Sequence, residues 1–391
     1  MSCESKVAIT DEIQPLDFPP FDLENLLRTV FDPEPGLRIA LLIDLDDLSL
    51  MRDMAILKSA DHPIQSKAIE YFYRPLRESL LEKMDLQGGH LYVYQRTCGS
   101  NLELPPTCVN ELGETVEFSE AVYTKYDIIL CLSTDSATAP LTAHAKSYGF
   151  RGATLHGINQ IILESGLCVD YHEVSRQAEL LRAGMTRADR VEIDFQLHDR
   201  SATLTLELGG QEAQKSHGLC LGPEPDVANL PAGEVYFVPT RAQGEFPRTL
   251  RDGTLVMLKV EDGAVQDADL IRGEQATLDS YLELIQSDPA TGRIGELGFG
   301  TQILPRAGVD IQDEKILGTV HVATGRSDHL GGDIKLDSFR NAQNATHEDI
   351  LFDPIKTPQI AVPQVRMERD GQCHVLLENY QPAAYIRNLL E

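Results

Sequence analysis

One short apolar segment constrains the fold of this chain more than any other: it reads LRIALLIDL at residues 37–45. A strand covered on one face alternates apolar and polar residues, whereas a strand buried on both faces is apolar throughout. Further strand-like segments follow at HLYVYQRT, YDIILCLS and GATLHGI, and segments with helical periodicity lie among them. Strands that alternate with helices predict a parallel, doubly wound α/β sheet.

The pattern changes after about residue 187. Three segments predict β-hairpins: RVEIDFQLHDRSATLTLELGG, GTLVMLKVEDGAVQDADLI and QVRMERDGQCHVLLENY. A chain of 391 residues also exceeds the limit of about 250–300 residues for one core. The sequence therefore predicts two domains after an acidic lead-in at residues 1–21. They are a doubly wound α/β domain at residues 22–187 and an α+β domain, rich in antiparallel strands and carrying a metal site, at residues 188–391.

Charge and cysteine content argue against several classes of protein. The net charge of −27, from 34 basic and 61 acidic residues, disfavours nucleic-acid and anionic-membrane partners, which require basic surfaces. The seven cysteines are scattered, odd in number and never spaced as Cys-x-x-Cys, which indicates free thiols in a reducing compartment. The chain shows neither a signal peptide nor an apolar run of about 20 residues. We therefore expect a cytoplasmic protein.

The first half of the chain lacks the common catalytic and nucleotide-binding motifs. It contains no Gly-x-Gly-x-x-Gly, no P-loop and no Gly-x-Ser-x-Gly nucleophile elbow, and the His-Glu-x-x-His zinc motif is missing as well. We therefore expect this half to support or cover a site that the second half carries.

Potential metal ligands occur in short stretches of the second half, at strand ends or in glycine-bounded loops. They are Glu234 in PAGEVYFVP, Glu296 in RIGELGFGT, His321 in DEKILGTVHVATG, and His347 with Asp349 in ATHEDILFD. Carboxylate oxygen and imidazole nitrogen suit zinc, cobalt, manganese or ferrous iron. A carboxylate pushed into an apolar wall also requires a nearby cation.

Each of these residues has a commoner structural interpretation when it is taken alone. A glutamate after glycine is usually a turn residue, and alternation in TVHVAT places His321 on the face opposite Val320 and Val322, where core or rim histidines are common. His347 and Asp349 lie two residues apart in an extended stretch, so their side chains share a face as ligands or as hydrogen-bonded neighbours. The histidines without a comparable pattern, such as His156, are predicted to be structural or surface residues.

The order of the four motifs resembles that of the aminopeptidase T family, the leucyl-aminopeptidase-like metallopeptidases. The resemblance spans roughly residues 225–385 and extends more faintly into FDPEPGLRIALLID and YDIILCLSTDSATAPL. It implies an α/β N-terminal domain, a C-terminal domain with a two-metal site, and a dimer. Carried over motif by motif, the core metal ligands are Glu234, Glu296, His321, His347 and Asp349.

Two departures from the peptidase pattern keep alternatives open. Glu314, which resembles the glutamate of the peptidases' Asp-Glu step, is separated from His321 by two additional residues, and HVATGRSDHLGG contains no tyrosine. The same superfamily includes an enzyme resembling 2,5-dihydroxypyridine 5,6-dioxygenase, which implies one ferrous iron held by His321, His347 and Asp349. Glu296 stands where that enzyme has a histidine, which favours the hydrolase.

The sequence therefore predicts a metal-dependent hydrolase, most simply an aminopeptidase that attacks an amide bond with a metal-activated water. Its cofactor would be zinc, cobalt or manganese, with Glu314 as general base and Lys315 as a partner for the substrate carbonyl or carboxylate. The alternatives are a mononuclear iron dioxygenase and a catalytically idle homologue that binds a partner. We expect a small-molecule or short-peptide substrate, no nucleic acid or membrane partner, and a homodimer.

Overall fold

The computed structural model describes residues 16–58, 61–198 and 200–391. Most of the predicted lead-in, residues 1–15, lies outside the described residues. The apolar run at residues 37–45 forms β1, Arg38–Leu45, in which seven of eight residues are buried. Among the described residues, no helix combines the length and apolar character needed to cross a membrane.

The remaining elements are numbered in chain order. The strands up to residue 187 are β2 Gln87–Gln95, β3 Thr107–Val109, β4 Thr115–Glu117, β5 Ile128–Ser133 and β6 Arg151–His156. The later strands are β7 Ala188–Leu197, β8 Arg200–Glu207, β9 Gln214–Ser216, β10 Val227–Asn229, β11 Glu234–Phe237, β12 Arg241–Thr249, β13 Leu255–Glu261, β14 Ala264–Arg272, β15 Ile294–Gly300, β16 Val320–Gly325, β17 His347–Phe352, β18 Gln364–Arg369, β19 Gln372–Glu378 and β20 Gln381–Pro382. The α-helices are α1 Leu23–Phe31, α2 Pro63–Ala68, α3 Leu81–Lys83, α4 Thr138–Tyr148, α5 Gln160–Leu163, α6 Tyr171–Met185, α7 Gln275–Ser287, α8 Asp310–Asp313 and α9 Ala384–Leu390.

The first sheet has seven strands in the order β10-β6-β5-β1-β2-β3-β4. Its strands from β10 to β2 are parallel. Alternate residues of β1 pack into separate cores on the two faces, with Leu41 in one and Leu42 in the other. This arrangement confirms the mixed α/β character that the apolar run predicts. Because β10 comes from residues 227–229 and lies at the edge of this sheet, the predicted division between residues 187 and 188 stays a prediction.

The segment PIQSKAIEYFYRPLRESLLEKM, whose apolar residues recur at helical spacing, is helical but not regular. Between α2 and α3 the chain forms two π-helical turns, Ile69–Tyr73 and Leu76–Leu80. Pro75 lies between these turns and has no N–H to donate. The apolar periodicity therefore predicts the helix correctly but not its interruption, which the proline accounts for.

The other two sheets are antiparallel and pack around a shared core. One has eight strands in the order β14-β13-β12-β8-β7-β18-β19-β20, and it contains all three predicted hairpins. The other has five strands in the order β17-β16-β15-β11-β9. Val320 and Val322 of β16 lie in the core with Phe195 and Leu206 of the larger sheet. The opposite face of the five-stranded sheet is thereby left for polar side chains.

Candidate metal centre

The five predicted ligands lie on one face of the five-stranded sheet. Residues directly opposite each other in an antiparallel pair project to the same face. The register pairs Glu234 with Gly300, Glu296 with Ala323, Ala323 with Asp349, His321 with Gly298, and His347 with Gly325. Strand alternation therefore places all five on the face away from the core, including His321 opposite Val320 and Val322, as the alternation in TVHVAT predicts.

Small residues make room for these side chains. A Cβ atom added at Gly298 would lie 2.1 Å from Cε1 and 2.2 Å from Nε2 of His321. One added at Gly300 would lie 2.2 Å from the carbonyl oxygen of Ile316. The glycines of GELGFG therefore form the floor of the site. In the sequence alone, glycines within a strand indicate only a bulge or a close backbone contact.

Glu296 lies at the middle of the set. Its Oε1 is 3.5 Å from Nε2 of His321, and its Oε2 is 3.0 Å from Nε2 of His347. His347 Nε2 is in turn 3.2 Å from Oδ1 of Asp349, and His321 Nε2 is 3.8 Å from Oε2 of Glu234. His347 and Asp349, neighbours on one strand, therefore belong to a larger cluster of atoms that can bind metal.

Within the described residues, three groups of side chains could hold a metal ion, each with ligand atoms within 4.8 Å of one another. They are Glu234, Glu296 and His321; Glu296, His347 and Asp349; and Glu314, His321 and Asp349. The first two groups share Glu296, and each group contains one histidine and two carboxylates.

The electrostatics of the cluster favour cations. Burial alone would lower the pKa of His321, but its hydrogen bond with Glu296 and the surrounding carboxylates raise it to about 9. Burial would raise the pKa of Glu296, but hydrogen bonds from His321 and His347 lower it to about 2. The four carboxylates of the cluster thus attract positive charge, as protons on the imidazoles or as bound cations.

Glu314 and Lys315 follow α8 and complete the cluster. The Lys315 ammonium is 1% exposed and lies 2.6 Å from Glu314 and 2.7 Å from Glu234. Burial raises the pKa of Glu314 to about 8. The Lys315 ammonium opposes this shift, whereas the carboxylates of Asp349 and Glu234 add to it. Lys315 therefore bridges two glutamates, and its predicted contact with a substrate carbonyl or carboxylate stays a prediction.

The residues fit a divalent metal. Glu234, Glu296 and Glu314 are at most 6% exposed, and among the described residues they and Asp349 share the one ammonium of Lys315. Protons on the imidazoles and on Glu314, or bound cations in their place, must therefore compensate the remaining negative charge. The Nδ1–H of His347 donates to the backbone carbonyl of Arg326 at 2.6 Å, so Nε2, which faces the carboxylates, is the nitrogen that would bind a metal in place of its proton. Such an orienting hydrogen bond is typical of metal-binding histidines.

Two cavities meet at this cluster. The first, of about 250 Å³, is lined by the predicted ligands and, on the other side, by residues of the first half such as Asn101 and Thr138. The second, of about 470 Å³, extends along β17. Ser100, Ser136, His156, His347 and Asp349 line both cavities. Residues of the first half thus line the first cavity together with the predicted ligands. This agrees with the expectation that the first half supports or covers a site carried by the second.

Three residues beside the predicted ligands were not recognised from the sequence. His156 ends β6, and its Nδ1 is buried with no hydrogen-bond partner in the described part of the chain. Tyr236 and His329 line the first cavity, and the His329 ring lies 5.0 Å from that of His347. The signal available for His156 was its place at the carboxyl end of a parallel strand, where α/β sheets bind ligands. Tyr236 shares a face with Glu234 by strand alternation.

The fold and the cluster together define a mixed α/β protein with large antiparallel sheets and residues that could bind metal. No protein-family model and no curated protein sequence matches the chain. Among solved structures it is similar to 2,5-dihydroxypyridine dioxygenase from Pseudomonas putida KT2440, with a TM-score of 0.56 and 13% identity over 89% of this chain and 92% of that one. It is also similar to wild-type AmpT from Thermus thermophilus, with a TM-score of 0.49 and 13% identity over 92% and 98% of the two chains. The resemblance to 2,5-dihydroxypyridine dioxygenase is thus confirmed at the level of the fold.

Proposed function

We propose that this chain is a metal-dependent hydrolase, most simply an aminopeptidase-like enzyme that cleaves an amide bond. Two divalent ions, such as zinc, cobalt or manganese, would be held by Glu234, Glu296, His321, His347 and Asp349. The observation that carries the proposal is the position of Glu296, whose two oxygens face different histidines. Each side of Glu296 adds one further carboxylate, which is the donor set for a shared carboxylate between two ions.

The chain's own residues have separate tasks in this reaction. When bound to the predicted ligands, a divalent metal would lower the pKa of a water toward about 7 and polarise the scissile carbonyl. Glu314 has an oxygen within 4.8 Å of ligand atoms of His321 and Asp349, so in its ionised form it would take the proton of the attacking water. Lys315 holds Glu314 in that position through their 2.6 Å contact. The excess of carboxylates suits a substrate with a free ammonium group.

A second candidate is a mononuclear Fe(II) dioxygenase acting on a hydroxylated N-heteroaromatic ring. The similarity of fold to 2,5-dihydroxypyridine dioxygenase favours it. Among the described residues, however, His321, His347 and Asp349 do not form one group of neighbouring ligand atoms. A facial triad requires two histidines and a carboxylate around a single ion, so the hydrolase remains the preferred proposal.

The test compares metal-loaded protein with its Asp349→Ala variant. Protein loaded with zinc, cobalt or manganese should hydrolyse aminoacyl-4-nitroanilides or short peptides, and the variant should lose this activity because it lacks a ligand. Activity no higher than that of the variant would refute the hydrolase. Oxygen uptake by iron-loaded protein with dihydroxypyridines would support the dioxygenase, and less than about a tenth of an equivalent of metal would support an idle homologue.

Three broader expectations belong with this proposal. We propose a cytoplasmic homodimer that acts on a small molecule or short peptide and binds neither nucleic acid nor membranes. Light scattering during size-exclusion chromatography tests the dimer. Limited proteolysis tests the two-domain arrangement, in which cleavage near residue 187 should release two resistant fragments.

A further inference from the structure

The strand β17 forms one edge of the five-stranded sheet, since β16 is its only strand partner in the described part of the chain. All six of its residues, His347–Phe352, line the second cavity. Side chains of a strand alternate between faces, so a cavity that contacts six consecutive residues runs along the strand's edge. The second cavity is therefore a slot beside the backbone of β17.

The hydrogen bonds of β16 determine which backbone groups of β17 face this slot. Gly325 donates its N–H to Arg293 on the side away from β17, whereas Arg326 donates to Thr346 just before β17. Backbone groups of an antiparallel strand point alternately to its two neighbours. Consequently Thr324 and Val322 bond to β17, and their partners there are the even-numbered residues. The N–H and C=O groups of His347, Asp349 and Leu351 point into the slot.

Within the described residues, only the first of these three positions is paired with another segment. His347 donates its N–H to the carbonyl oxygen of Ser100 at 3.2 Å. The outward groups of Asp349 and Leu351 have no hydrogen bond to any described residue. Leu351 is only 2% exposed, and buried backbone groups are nearly always paired with protein, water or a ligand. Asp349 and Leu351, about 7 Å apart along the strand, are thus the two unpaired positions with which an incoming chain would pair.

The opposite wall of the slot is formed by residues 247–251 at the end of β12. This wall is tied to β17, because Arg248 forms an ion pair with Glu348. Its first residue is Pro247, which has no N–H to offer. An inserted strand would therefore find no N–H donor at Pro247, whereas β17 offers it unpaired backbone groups.

We propose that the slot binds the extended backbone of a peptide substrate as an additional strand on β17. The amino-terminal residue would occupy the first cavity among the carboxylates, and the following residues would pair with Asp349 and Leu351. Asp349 lines both cavities, so a peptide paired there passes directly beside the proposed ligands. This inference rests on the proposed hydrolase and narrows its preferred substrate to peptides long enough to pair with Asp349 and Leu351. Such strand addition gives affinity through main-chain hydrogen bonds.

The test measures binding of the pentapeptide Leu-Ala-Ala-Ala-Ser with a C-terminal fluorophore, and of four analogues that each carry one backbone N-methyl group. Fluorescence anisotropy is recorded on chelator-treated protein, so that no hydrolysis interferes. N-methylation of two alternate residues should weaken binding by about fivefold or more, the effect of one lost hydrogen bond. N-methylation of the residues between them should change the affinity by less than about twofold.

The outcomes separate this inference from the proposed function. A uniform effect, no effect, or no binding of the parent peptide at millimolar concentration would overturn the strand addition. If zinc-loaded protein still hydrolyses leucine 4-nitroanilide in that case, the hydrolase stands and only the inference fails. Alternating sensitivity without any hydrolysis by metal-loaded protein would support the peptide slot and refute the proposed activity.

Discussion

Replacement of Gly298 by alanine tests whether the glycine floor positions His321. The added Cβ would lie 2.1 Å from Cε1 of His321, whereas ordinary van der Waals contact begins at 3.4 Å. To relieve this clash, the imidazole must move by about 1.3 Å. It is only 1% exposed, so the movement takes place inside an enclosed site. Metal–ligand distances tolerate only about 0.2 Å, so the shift removes His321 as a ligand. Since the loss of an orienting partner alone costs 10–100-fold in metal affinity, we expect Gly298→Ala to cost at least about 100-fold, or about 2.8 kcal/mol.

The assay is a competition titration of zinc against a chromophoric chelator, with thermal unfolding of the metal-free protein beside it. Gly292→Ala is the matched control, because its Cβ would lie 3.0 Å from a methyl group of Ile285, away from the site. We expect the control to bind zinc like the wild type. Both variants should lose about 1–3 kcal/mol of stability or less through overpacking. Unchanged zinc affinity in Gly298→Ala, in folded protein, would refute the assignment of His321.

Three further predictions concern the charged residues Lys315, Glu296 and Glu179. Lys315→Met should lower the free energy of unfolding of chelator-treated protein by about 3–5 kcal/mol in urea titrations, because two buried glutamates lose their ammonium; a loss below about 1 kcal/mol would contradict this. Glu296→Gln should reduce the metal content from two ions to at most one, measured by elemental analysis, and retention of two would contradict a shared ligand. A hydrogen bond from Arg182 lowers the pKa of Glu179 from 4.5 to about 2, so this pair stabilises the fold above about pH 4.5 and loses its effect as the pH falls toward 2. Urea unfolding of Glu179→Gln should therefore depend less on pH in this range, and an unchanged slope would argue against the pair.

Much of the fold follows from local pattern. β1 is apolar throughout because both faces are buried, and α4 ends before Gly149, whose φ of 84° suits the left-handed cap. The hairpin β13–β14 turns at Asp262 and Gly263, both with positive φ, as the EDG motif predicts. In contrast, the three-residue strands β9 and β10 carry too short a pattern to be recognised, and only tertiary pairing makes them strands.

Part of the site could also be predicted from the local sequence pattern. Alternation alone indicates that His347 shares a face with Asp349, and that His321 lies opposite its valine neighbours. Whether the strands bring these residues to one point depends on the register, which no local pattern contains. His156 illustrates the limit, since its place at the carboxyl end of a predicted parallel strand indicates an edge where ligands bind but not that this side chain lines a cavity. Its place emerges only when the first sheet faces the five-stranded sheet across the cavity.

Elemental analysis of protein purified without chelator tests the central claim most directly. The proposal of a two-metal hydrolase predicts two divalent ions per chain, identified as zinc, cobalt or manganese. A single iron per chain would contradict it in favour of the dioxygenase. Metal below about a tenth of an equivalent, even after equilibration with each ion, would contradict any metal-dependent activity at this site.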